Sequence, residues 1–250
     1  MSRIALITGA SSGIGNATAQ AFAKSGIDLI LCGRRKDRLR DLSEEFHHIK
    51  TTILEFDVRD RKGTFKAIES LSSDWQAIDI LVNNAGNAHG FDSVDAGDPD
   101  DWDAMLDSNV KGLLYVSKAI MPGMVRRGRG HIVNLSSIAG KETYANGTVY
   151  CASKAAVEAL SEGMRLDLTQ HGIKVTNIAP GAVETEFSMV RFKGDEARAD
   201  KVYAGFEPLR AEDIADSILY AVNAPPHVTI ADITILAAAQ AAATTVYRKG

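Results

Sequence analysis

Short apolar segments alternate with longer amphipathic segments along most of the 250-residue chain, and this alternation constrains the fold more than any single motif. Several apolar segments are rich in Val, Ile and Leu throughout, as strands buried between two helix layers must be. A regular succession of strands and helices implies right-handed crossovers and a parallel sheet. The predicted strands are 3–8, 28–32, 52–56, 78–82, 131–136, 174–179 and 229–236. The predicted helices are 13–25, 35–47, 61–72, 99–127, 149–171 and 211–223.

We predict an α/β fold with a doubly wound, seven-stranded parallel sheet that carries helices on both faces. No internal repeat and no linker rich in Pro, Gly and Ser divides the chain, so residues 1–250 are predicted to form a single domain. Two segments depart from the alternation. Residues 185–210 are predicted to form a substrate flap of short helices, and residues 237–250 form an Ala-rich tail.

The composition argues against several classes of partner. A net charge of −4 supplies no overall basic face for nucleic acid. Cys32 and Cys151 form no disulfide framework, which fits a reducing compartment. No signal peptide fits before the first strand, and no apolar run approaches the ~20 residues of a membrane span. We therefore expect a soluble, cytoplasmic protein with no nucleic-acid partner, no membrane partner and no metal site.

A glycine-rich turn joins the first predicted strand to the first predicted helix. Its glycines are spaced as G-x-x-x-G-x-G, which is longer than the common G-x-G-x-x-G. Such a turn lets the backbone approach a phosphate, and the following helix N-terminus offers free N–H groups and a partial positive charge. Taken alone, the turn is also compatible with a tight connection that binds nothing. The residues predicted to hold the phosphates are Gly9, Ser11, Ser12, Gly13, Ile14 and Gly15.

Clusters of unusual residues follow six of the predicted strands. These clusters are 9–15, 33–35, 57–58, 83–86, 136–137 and 180–181. Ligands of a doubly wound sheet bind beyond the C-terminal ends of its strands, which is where all six clusters lie. Loop composition alone is a poor explanation for six clusters on one edge, so we predict a dinucleotide site along it.

The end of the second strand indicates which dinucleotide binds. Sites that prefer NAD carry an acidic residue there, which accepts hydrogen bonds from the ribose hydroxyls. This chain has Gly33 followed by Arg34 and Arg35, and guanidinium groups bind a 2′-phosphate well. We therefore predict NADP (NADPH) as the cofactor. The alternative is that both arginines are solvated residues at the start of the next helix.

Two further turns are predicted to contact the dinucleotide. Asp57 is placed to accept a hydrogen bond from the adenine amino group, with Val58 beside the ring. A cap for the following helix is an equal alternative for Asp57. Asn84, Ala85 and Gly86 offer an amide and small residues where the chain passes close to a ligand, and their alternative is an ordinary Asn/Gly turn.

A tyrosine and a lysine lie four residues apart in a predicted helix. Tyr150 and Lys154 therefore share one helical face, and an ammonium group beside a phenol favours the phenolate and lowers its pKa. Tyr150 could then exchange a proton with a carbinol or carbonyl oxygen while hydride passes to or from a nicotinamide ring. Lys154 is also placed to hold the nicotinamide ribose. Without its context, the pair would be better interpreted as two surface residues.

Two other residues supply that context. Ser137 ends the fifth strand, and its hydroxyl is predicted to stabilise charge on the same substrate oxygen. Ser136 is the competitor, because neighbouring strand residues point to opposite faces. Asn109 interrupts an otherwise regular helix and is predicted to hold a water molecule that relays protons to Lys154. A capping or kink residue is the alternative for Asn109.

These motifs resemble those of the short-chain dehydrogenase/reductase family in order and spacing. The resemblance covers residues 3–185 and rests on 8–15, 83–86, 180–181, Asn109, Ser137, Tyr150 and Lys154. It implies a single Rossmann-like domain, a homotetramer or homodimer, and a catalytic tetrad formed by the four single residues just named. It also implies that the nicotinamide half of the cofactor contacts Pro180, Gly181, Val183 and Thr185.

The flap segment 185–195 indicates which branch of the family the chain resembles. It is similar to the flap of the family branch that acts on small 3-hydroxy acids, including serine. Within it, Arg191 is predicted to pair with a substrate carboxylate, and the serine and tyrosine of the tetrad complete the substrate site. The alternative for Arg191 is a surface ion pair with Asp195 or Glu196.

The predicted function is that of an NADP-dependent oxidoreductase. It would interconvert a small 3-hydroxy acid, or a similar secondary alcohol, and the carbonyl compound by hydride transfer. A 3-oxoacyl thioester reductase and a non-catalytic dinucleotide-sensing protein are the alternatives. The tail departs from the family pattern, because residues 237–239 are all Ala where many relatives have a Gly-Gly turn.

Overall fold

A computed structural model of the chain describes residues 2–249. Within them, seven strands form one sheet: β1 Ile4–Thr8, β2 Asp28–Gly33, β3 Thr51–Glu55, β4 Ile80–Asn83, β5 Gly130–Leu135, β6 Ile173–Pro180 and β7 Asp232–Ile235. The α-helices are α1 Gly13–Lys24, α2 Lys36–Glu44, α3 Arg61–Glu69, α4 Pro99–Leu106, α5 Leu113–Arg127, α6 Thr148–Leu168, α7 Phe187–Arg191, α8 Glu196–Tyr203 and α9 Ala211–Val222. Met1 and Gly250, the ends of the predicted domain, lie outside the described residues.

The strand order is β3-β2-β1-β4-β5-β6-β7, and every neighbouring pair is parallel. The predicted α/β fold with a doubly wound, seven-stranded sheet is therefore confirmed. β1 is the central switch point, since Leu6 lies opposite Ile30 of β2 and Leu81 of β4. Ligands of such sheets bind in the crevice beyond the strand ends at this point.

The sheet is buried on both faces, which explains its continuous apolar strands. In β2, Leu29 and Leu31 face the core that includes Phe22 of α1 and Ile218 of α9. Ile30 faces the opposite core, which contains side chains of α5 and α6. All three strand residues are fully buried, and each such burial stabilises the fold by about 1.5–3 kcal/mol.

The long helix predicted over residues 99–127 is divided in the structure. α4 ends at Leu106, a π-helical segment spans Asp107–Gly112, and α5 follows. The π-helical segment contains Asn109, which agrees with the prediction that this residue interrupts the helix. The predicted last strand 229–236 is shorter, because only Asp232–Ile235 pairs regularly with β6.

Two absences apply to the described part of the chain. None of its helices is both long and apolar enough to cross a membrane. Within residues 2–249, no group of three or more His, Cys, Asp and Glu side chains could hold a metal ion.

Candidate active site

A cleft of about 710 Å³ runs along the C-terminal edge of the sheet. It extends from the glycine-rich turn after β1, across the ends of β2 to β6, to the segment around α7. Of the residues predicted to bind cofactor or substrate or to act in catalysis, all but Gly15 and Asn109 line this cleft. The topology therefore brings together predicted residues that are up to 182 positions apart in the sequence, from Gly9 to Arg191.

The glycine-rich turn is shaped by its conformation and by its close packing. Gly9 and Gly13 have φ angles of +67° and +52°, a region that side-chain-bearing residues rarely occupy. A Cβ atom on Gly15 would lie 2.4 Å from the carbonyl oxygen of Gly9. Gly15 thus lets α1 pack against the turn and does not itself line the cleft, so its predicted part in cofactor binding stays a prediction.

The first turn of α1 is open towards the cleft. Its N-cap residue, Ser12, makes no capping hydrogen bond with its side chain. The first N–H groups of a helix have no partner inside the helix and favour an anion. This end of α1 is therefore suited to bind the phosphates of a dinucleotide.

Asn84 ties the turn after β4 to the turn after β1. Its Nδ2 atom donates a hydrogen bond to the carbonyl oxygen of Thr8 at 2.9 Å. The Thr8 hydroxyl in turn accepts from the backbone N–H groups of Asn84 and Ala85, at 3.0 and 2.9 Å. The side chain of Asn84 lines the cleft, but its described hydrogen bonds hold the two strand ends in register.

Arg35 is firmly attached to the glycine-rich turn. Its Nε and Nη2 atoms donate to the hydroxyls of Ser11 and Ser12, at 3.1 and 2.6 Å. Its Nη1 atom donates to a carboxylate oxygen of Glu186 at 2.9 Å. Arg34 is more exposed, with its Nη1 atom 3.9 Å from the carboxylate of Asp57. Arg35 is therefore not merely a solvated residue at the start of α2, as the alternative for it required.

Asp57 holds an arginine in the structure. Arg59 donates to both carboxylate oxygens, with the shortest distance, 2.7 Å, between Nη2 and Oδ2. Partial burial acts against ionisation, but these hydrogen bonds and charges hold the pKa of Asp57 below its ordinary value. The N-cap of α3 is Asp60, so the alternative role of Asp57 as that cap is wrong.

Tyr150 and Lys154 lie in the first two turns of α6, and both side chains are buried at the cleft. Lys154 donates from Nζ to the carbonyl oxygen of Leu135 at 2.8 Å. Burial disfavours its ammonium form and lowers the pKa of Lys154 to about 8. The protonation state of Lys154 is therefore sensitive to a polar group that enters the cleft.

The electrostatics of Tyr150 differ from the prediction. Burial raises the pKa of its phenol above the ordinary value, and neighbouring Tyr144 acts in the same direction. The groups that oppose this rise are the Ser137 hydroxyl and the Arg191 charge. In the chain by itself, the pKa of Tyr150 is therefore raised and not lowered as predicted, because desolvation is the largest effect on it.

The two serines at the end of β5 have different partners. Ser136 donates to the carbonyl oxygen of Lys154 at 3.1 Å and is buried. Ser137 donates to the carbonyl oxygen of Pro180 at 3.3 Å and accepts from the N–H of Ala139 at 3.1 Å. Since the hydroxyl of Ser137 also influences Tyr150, the geometry favours Ser137 over Ser136 as the substrate-binding hydroxyl.

Asn109 lies behind the cleft and not in its wall. Its Oδ1 atom accepts from the N–H of Asn87 and the hydroxyl of Ser108, at 2.8 and 3.0 Å. Its Nδ2 atom donates to the carbonyl oxygen of Asn87 and the hydroxyl of Ser153, at 2.9 and 3.0 Å. These contacts occupy the amide group of the side chain, and the predicted role of Asn109 in holding a relay water stays a prediction. Asn109 positions the backbone after β4 against α6.

Arg191, at the C-terminal end of α7, points its guanidinium group into a cage of aromatic rings. Its Cζ atom lies 4.8 Å from the ring centre of Phe91, 5.4 Å from that of Tyr150 and 5.8 Å from that of Tyr144. Its Nη1 atom donates to the hydroxyl of Tyr144 at 3.3 Å. The rings hold the cation by cation–π attraction and shield it from water.

Two hydrogen-bond donors of this guanidinium group have no partner among the described residues. The Nε and Nη2 atoms of Arg191 are buried and have no hydrogen-bond partner within residues 2–249. Nor does Arg191 take part in any ion pair found among those residues, so the alternative pair with Asp195 or Glu196 is not formed. Nε and Nη2 form one edge of the planar fork, which matches the two oxygens of a carboxylate.

The sequence reasoning missed the aromatic partners of Arg191. Phe91 follows the turn after β4, and no pattern in the sequence relates it to the flap. Tyr144 lies in the polar loop 140–146, and Lys141 of the same loop pairs with Glu158 and Asp232 outside the cleft. An aromatic residue in an otherwise polar loop was the one available signal.

The tail also reaches the cleft. The side chain of Gln240 is buried, and its Oε1 atom accepts from the N–H of Ala182 at 2.9 Å. Ala243 and Thr244 line the cleft beside it. Since the sequence departs from the family pattern in this segment, no contact of the tail had been predicted.

Comparison with known proteins adds independent evidence. Residues 3–196 match the family model described as short chain dehydrogenase. The chain is 42% identical over 238 residues to the NADP-dependent 3-hydroxy acid dehydrogenase of Salmonella typhi, covering 95% of this chain and 96% of that protein. It is 43% identical over 245 residues to sulfoacetaldehyde reductase 2 of Chromohalobacter salexigens, covering 96% of each.

A solved structure is similar over nearly the whole fold. The closed form of serine dehydrogenase complexed with NADP+ superposes with a TM-score of 0.92 at 40% sequence identity. The match covers 98% of this chain and 100% of the solved chain. The described flap and tail therefore belong to an architecture that is shared along its full length.

Proposed function

Since this chain belongs to the short-chain dehydrogenase family, we propose that it is an NADP-dependent oxidoreductase that interconverts a small 3-hydroxy acid and the corresponding carbonyl compound. Three kinds of observation support this function. The cleft has the extent and the phosphate-binding end of a dinucleotide site. Tyr150 and Ser137 lie in it beside Arg191. The similar proteins carry out reactions of this class.

The residues of the cleft fit NADP. The open first turn of α1 would bind the central phosphates, and the Ser11, Arg34 and Arg35 side chains would bind the 2′-phosphate. Asp57 and Val58 would lie at the adenine. The segments 84–86 and 180–183, together with Thr185, would line the nicotinamide half, with Lys154 at its ribose.

When bound, NADP(H) supplies or accepts the hydride, and the chain manages the proton. The phenol of Tyr150 is protonated at neutral pH, since burial raises its pKa above the ordinary value. It would donate this proton to a carbonyl oxygen as charge develops there, although the raised pKa by itself makes the phenol a weaker acid. In the opposite direction Tyr150 would first have to lose its own proton to solvent, and the phenolate oxygen would then take the proton from the substrate hydroxyl group. Ser137 would donate a hydrogen bond to that substrate oxygen and stabilise its charge.

The observation that carries the choice of substrate is the unpartnered edge of Arg191. Two buried donors of a guanidinium group, left without partners, carry a desolvation cost that an anionic ligand would remove. Arg191 and Tyr150 line the same cleft, and the Tyr150 ring is 5.4 Å from the guanidinium carbon. A carboxylate near the reacting oxygen of a small substrate would satisfy both donors.

Replacing Arg191 tests this function. For Arg191→Ala we expect the KM for 3-hydroxy acids to rise about a hundredfold, since two charge-assisted hydrogen bonds are lost. An uncharged secondary alcohol of similar size serves as the control substrate and should be turned over equally by both proteins. Arg191→Lys keeps the charge without the planar fork and should recover only part of the loss. An unchanged KM for the acids would show that the carboxylate is bound elsewhere.

A second candidate substrate is a small sulfonate. The similarity to sulfoacetaldehyde reductase 2 favours it, and sulfoacetaldehyde carries its anion one methylene away from the carbonyl carbon, as a 3-oxo acid does. Turnover of paired carboxylates and sulfonates with NADPH would separate the two. A homotetramer or homodimer stays a prediction that a sizing measurement addresses, and the cytoplasmic location also stays a prediction. The same substrate panel addresses the alternative of a thioester reductase. Membership of a dehydrogenase family argues against the alternative of a non-catalytic sensor.

A further inference from the structure

Glu186 connects the flap to the other end of the cleft. It directly precedes α7, the helix that ends at Arg191. Its two carboxylate oxygens accept from two arginines of the β2–α2 region, Arg35 at 2.9 Å and Arg38 at 2.7 Å. These ion pairs join residues about 150 positions apart in the sequence. The beginning of the flap is therefore fixed to the arginines near the glycine-rich turn.

The arginine held by Glu186 is also the arginine proposed to bind the 2′-phosphate. All three nitrogen atoms of the Arg35 guanidinium group donate hydrogen bonds, to Ser11, Ser12 and Glu186. Glu186 is anionic at neutral pH, since the hydrogen bonds from Arg35 and Arg38 hold its pKa below the ordinary value. A phosphate placed at Arg35 would therefore approach a carboxylate that uses the same cation.

The 2′-phosphate and the Glu186 carboxylate differ in charge, and therefore in how strongly each binds the arginines. A phosphate monoester carries a charge of about −1.5 to −2 at neutral pH and three acceptor oxygens. Glu186 carries a single charge and is half exposed in its pairs with both arginines, and exposed ion pairs are weak. The phosphate can therefore displace the carboxylate, although displacement lowers its net affinity.

From this geometry we infer that Glu186 is a specificity-determining residue that competes with the 2′-phosphate of NADP(H) for Arg35 and Arg38. The inference rests on the proposed function, which assigns NADP to this cleft. The carboxylate would stay on the arginines when NAD(H) enters, because NAD(H) has a hydroxyl in place of the phosphate. Glu186 thus weakens the preference for NADP(H) that the arginines create, and phosphate binding releases the beginning of the flap.

The test compares two carboxylates that lie two residues apart. Glu186→Gln keeps the shape of the side chain and removes its charge, and Glu184→Gln removes an equal charge from an exposed residue that does not line the cleft. The dissociation constants of NADPH and NADH are measured from the fluorescence of the reduced nicotinamide. For Glu186→Gln we expect NADPH to bind about threefold to tenfold more tightly, with NADH unchanged. Glu184→Gln should alter neither constant by more than twofold.

Three results would overturn the inference. If Glu186 only anchors the flap, Glu186→Gln will bind both coenzymes more weakly or equally and will raise the KM for the hydroxy acid. If it acts only through general charge, Glu184→Gln will reproduce its effect. If the gain in NADPH affinity is as large in an Arg38→Gln background as in the natural chain, the two residues do not compete in the way described.

The proposed function can fail separately. A natural chain that binds NADPH no more tightly than NADH would contradict the assignment of NADP to Arg34 and Arg35, whatever the variants do. A natural chain that prefers NADPH, combined with a Glu186→Gln variant that shows no gain, would contradict only the competition by Glu186.

Discussion

The two halves of the cleft are built in different ways. The strand-end half, formed by residues 8–15, 33–35, 57–58 and 84–86, consists of turns that directly follow β1 to β4. Backbone groups and short side chains such as Thr8 hold these turns together. The flap half, formed by residues 87–91, 144 and 185–203, is assembled by long side chains that meet across loops.

This difference decides how each half responds to change. In the strand-end half, the parallel register of the sheet fixes the positions of the turns, and little space is left for added atoms. In the flap half, two kinds of contact hold the segment in place. Arg191 packs among aromatic rings, and the exposed side chain of Lys193 forms an ion pair with Asp101. We therefore expect changes in the first half to act on stability and coenzyme binding. Changes in the second half should act on substrate binding, except at Glu186, which is paired with Arg35 and Arg38 of the first half.

The largest effect is expected at the reacting group between the two halves. Tyr150→Phe removes the proton donor, and we expect kcat to fall about 10³-fold, within the range attributed to general acid–base catalysis. Binding of NADPH should stay within a few-fold of the natural value, since the strand-end half is untouched. Steady-state rates and NADPH fluorescence titration measure the two quantities.

Tyr144→Phe is the matched control for this variant. It also removes one phenolic hydroxyl from the cluster around Arg191, but that hydroxyl only accepts a hydrogen bond from the guanidinium group. Its effect should appear as a moderate rise in KM for the acid, with kcat preserved. Equal losses of kcat in both variants would contradict the role of Tyr150.

Most residues of the strand-end half could be predicted from the sequence. They directly follow strands, and the strands themselves are recognised from local runs of apolar residues. Gly9 and Arg35 were found in this way, and the sheet placed them in one cleft. The partners of Arg191 could not be predicted, since Phe91 and Tyr144 reach it from loops that no periodicity orients. The raised pKa of Tyr150 was missed for a related reason: burial depends on all packed neighbours, whereas the helical spacing reveals only Lys154.

The next largest effect concerns the rigidity of the strand-end half. The Cβ atom of Gly15→Ala would lie 2.4 Å from the Gly9 carbonyl oxygen, which belongs to backbone that cannot yield easily. We expect a loss of about 3 kcal/mol in the free energy of unfolding, together with weaker NADPH binding. Denaturant unfolding and coenzyme titration measure both.

Gly163→Ala is the control for this prediction. Gly163 also lies inside a helix, α6, but a Cβ atom there would meet nothing within 4 Å in this chain. This variant should be stabilised by about 1 kcal/mol, the usual gain of Ala over Gly in a helix. A loss at Gly163 that varies with protein concentration would indicate a second copy of the chain against α6.

The smallest effect is expected from the ion pairs that hold the flap half. The ammonium group of Lys193 lies 3.0 Å from the carboxylate of Asp101, and the Lys193 side chain is exposed. Lys193→Gln should raise the KM for the acid by only about twofold to threefold, since exposed pairs are weak, and should leave NADPH binding unchanged. In about 0.5 M salt the natural chain and the variant should converge, because salt screens exposed charges. Lys118→Gln, on the exposed face of α5, controls for the loss of charge. Lys193→Gln could instead weaken the binding of NADPH as much as the binding of the acid. The two halves of the cleft would then respond together, and the proposed difference between them would be wrong.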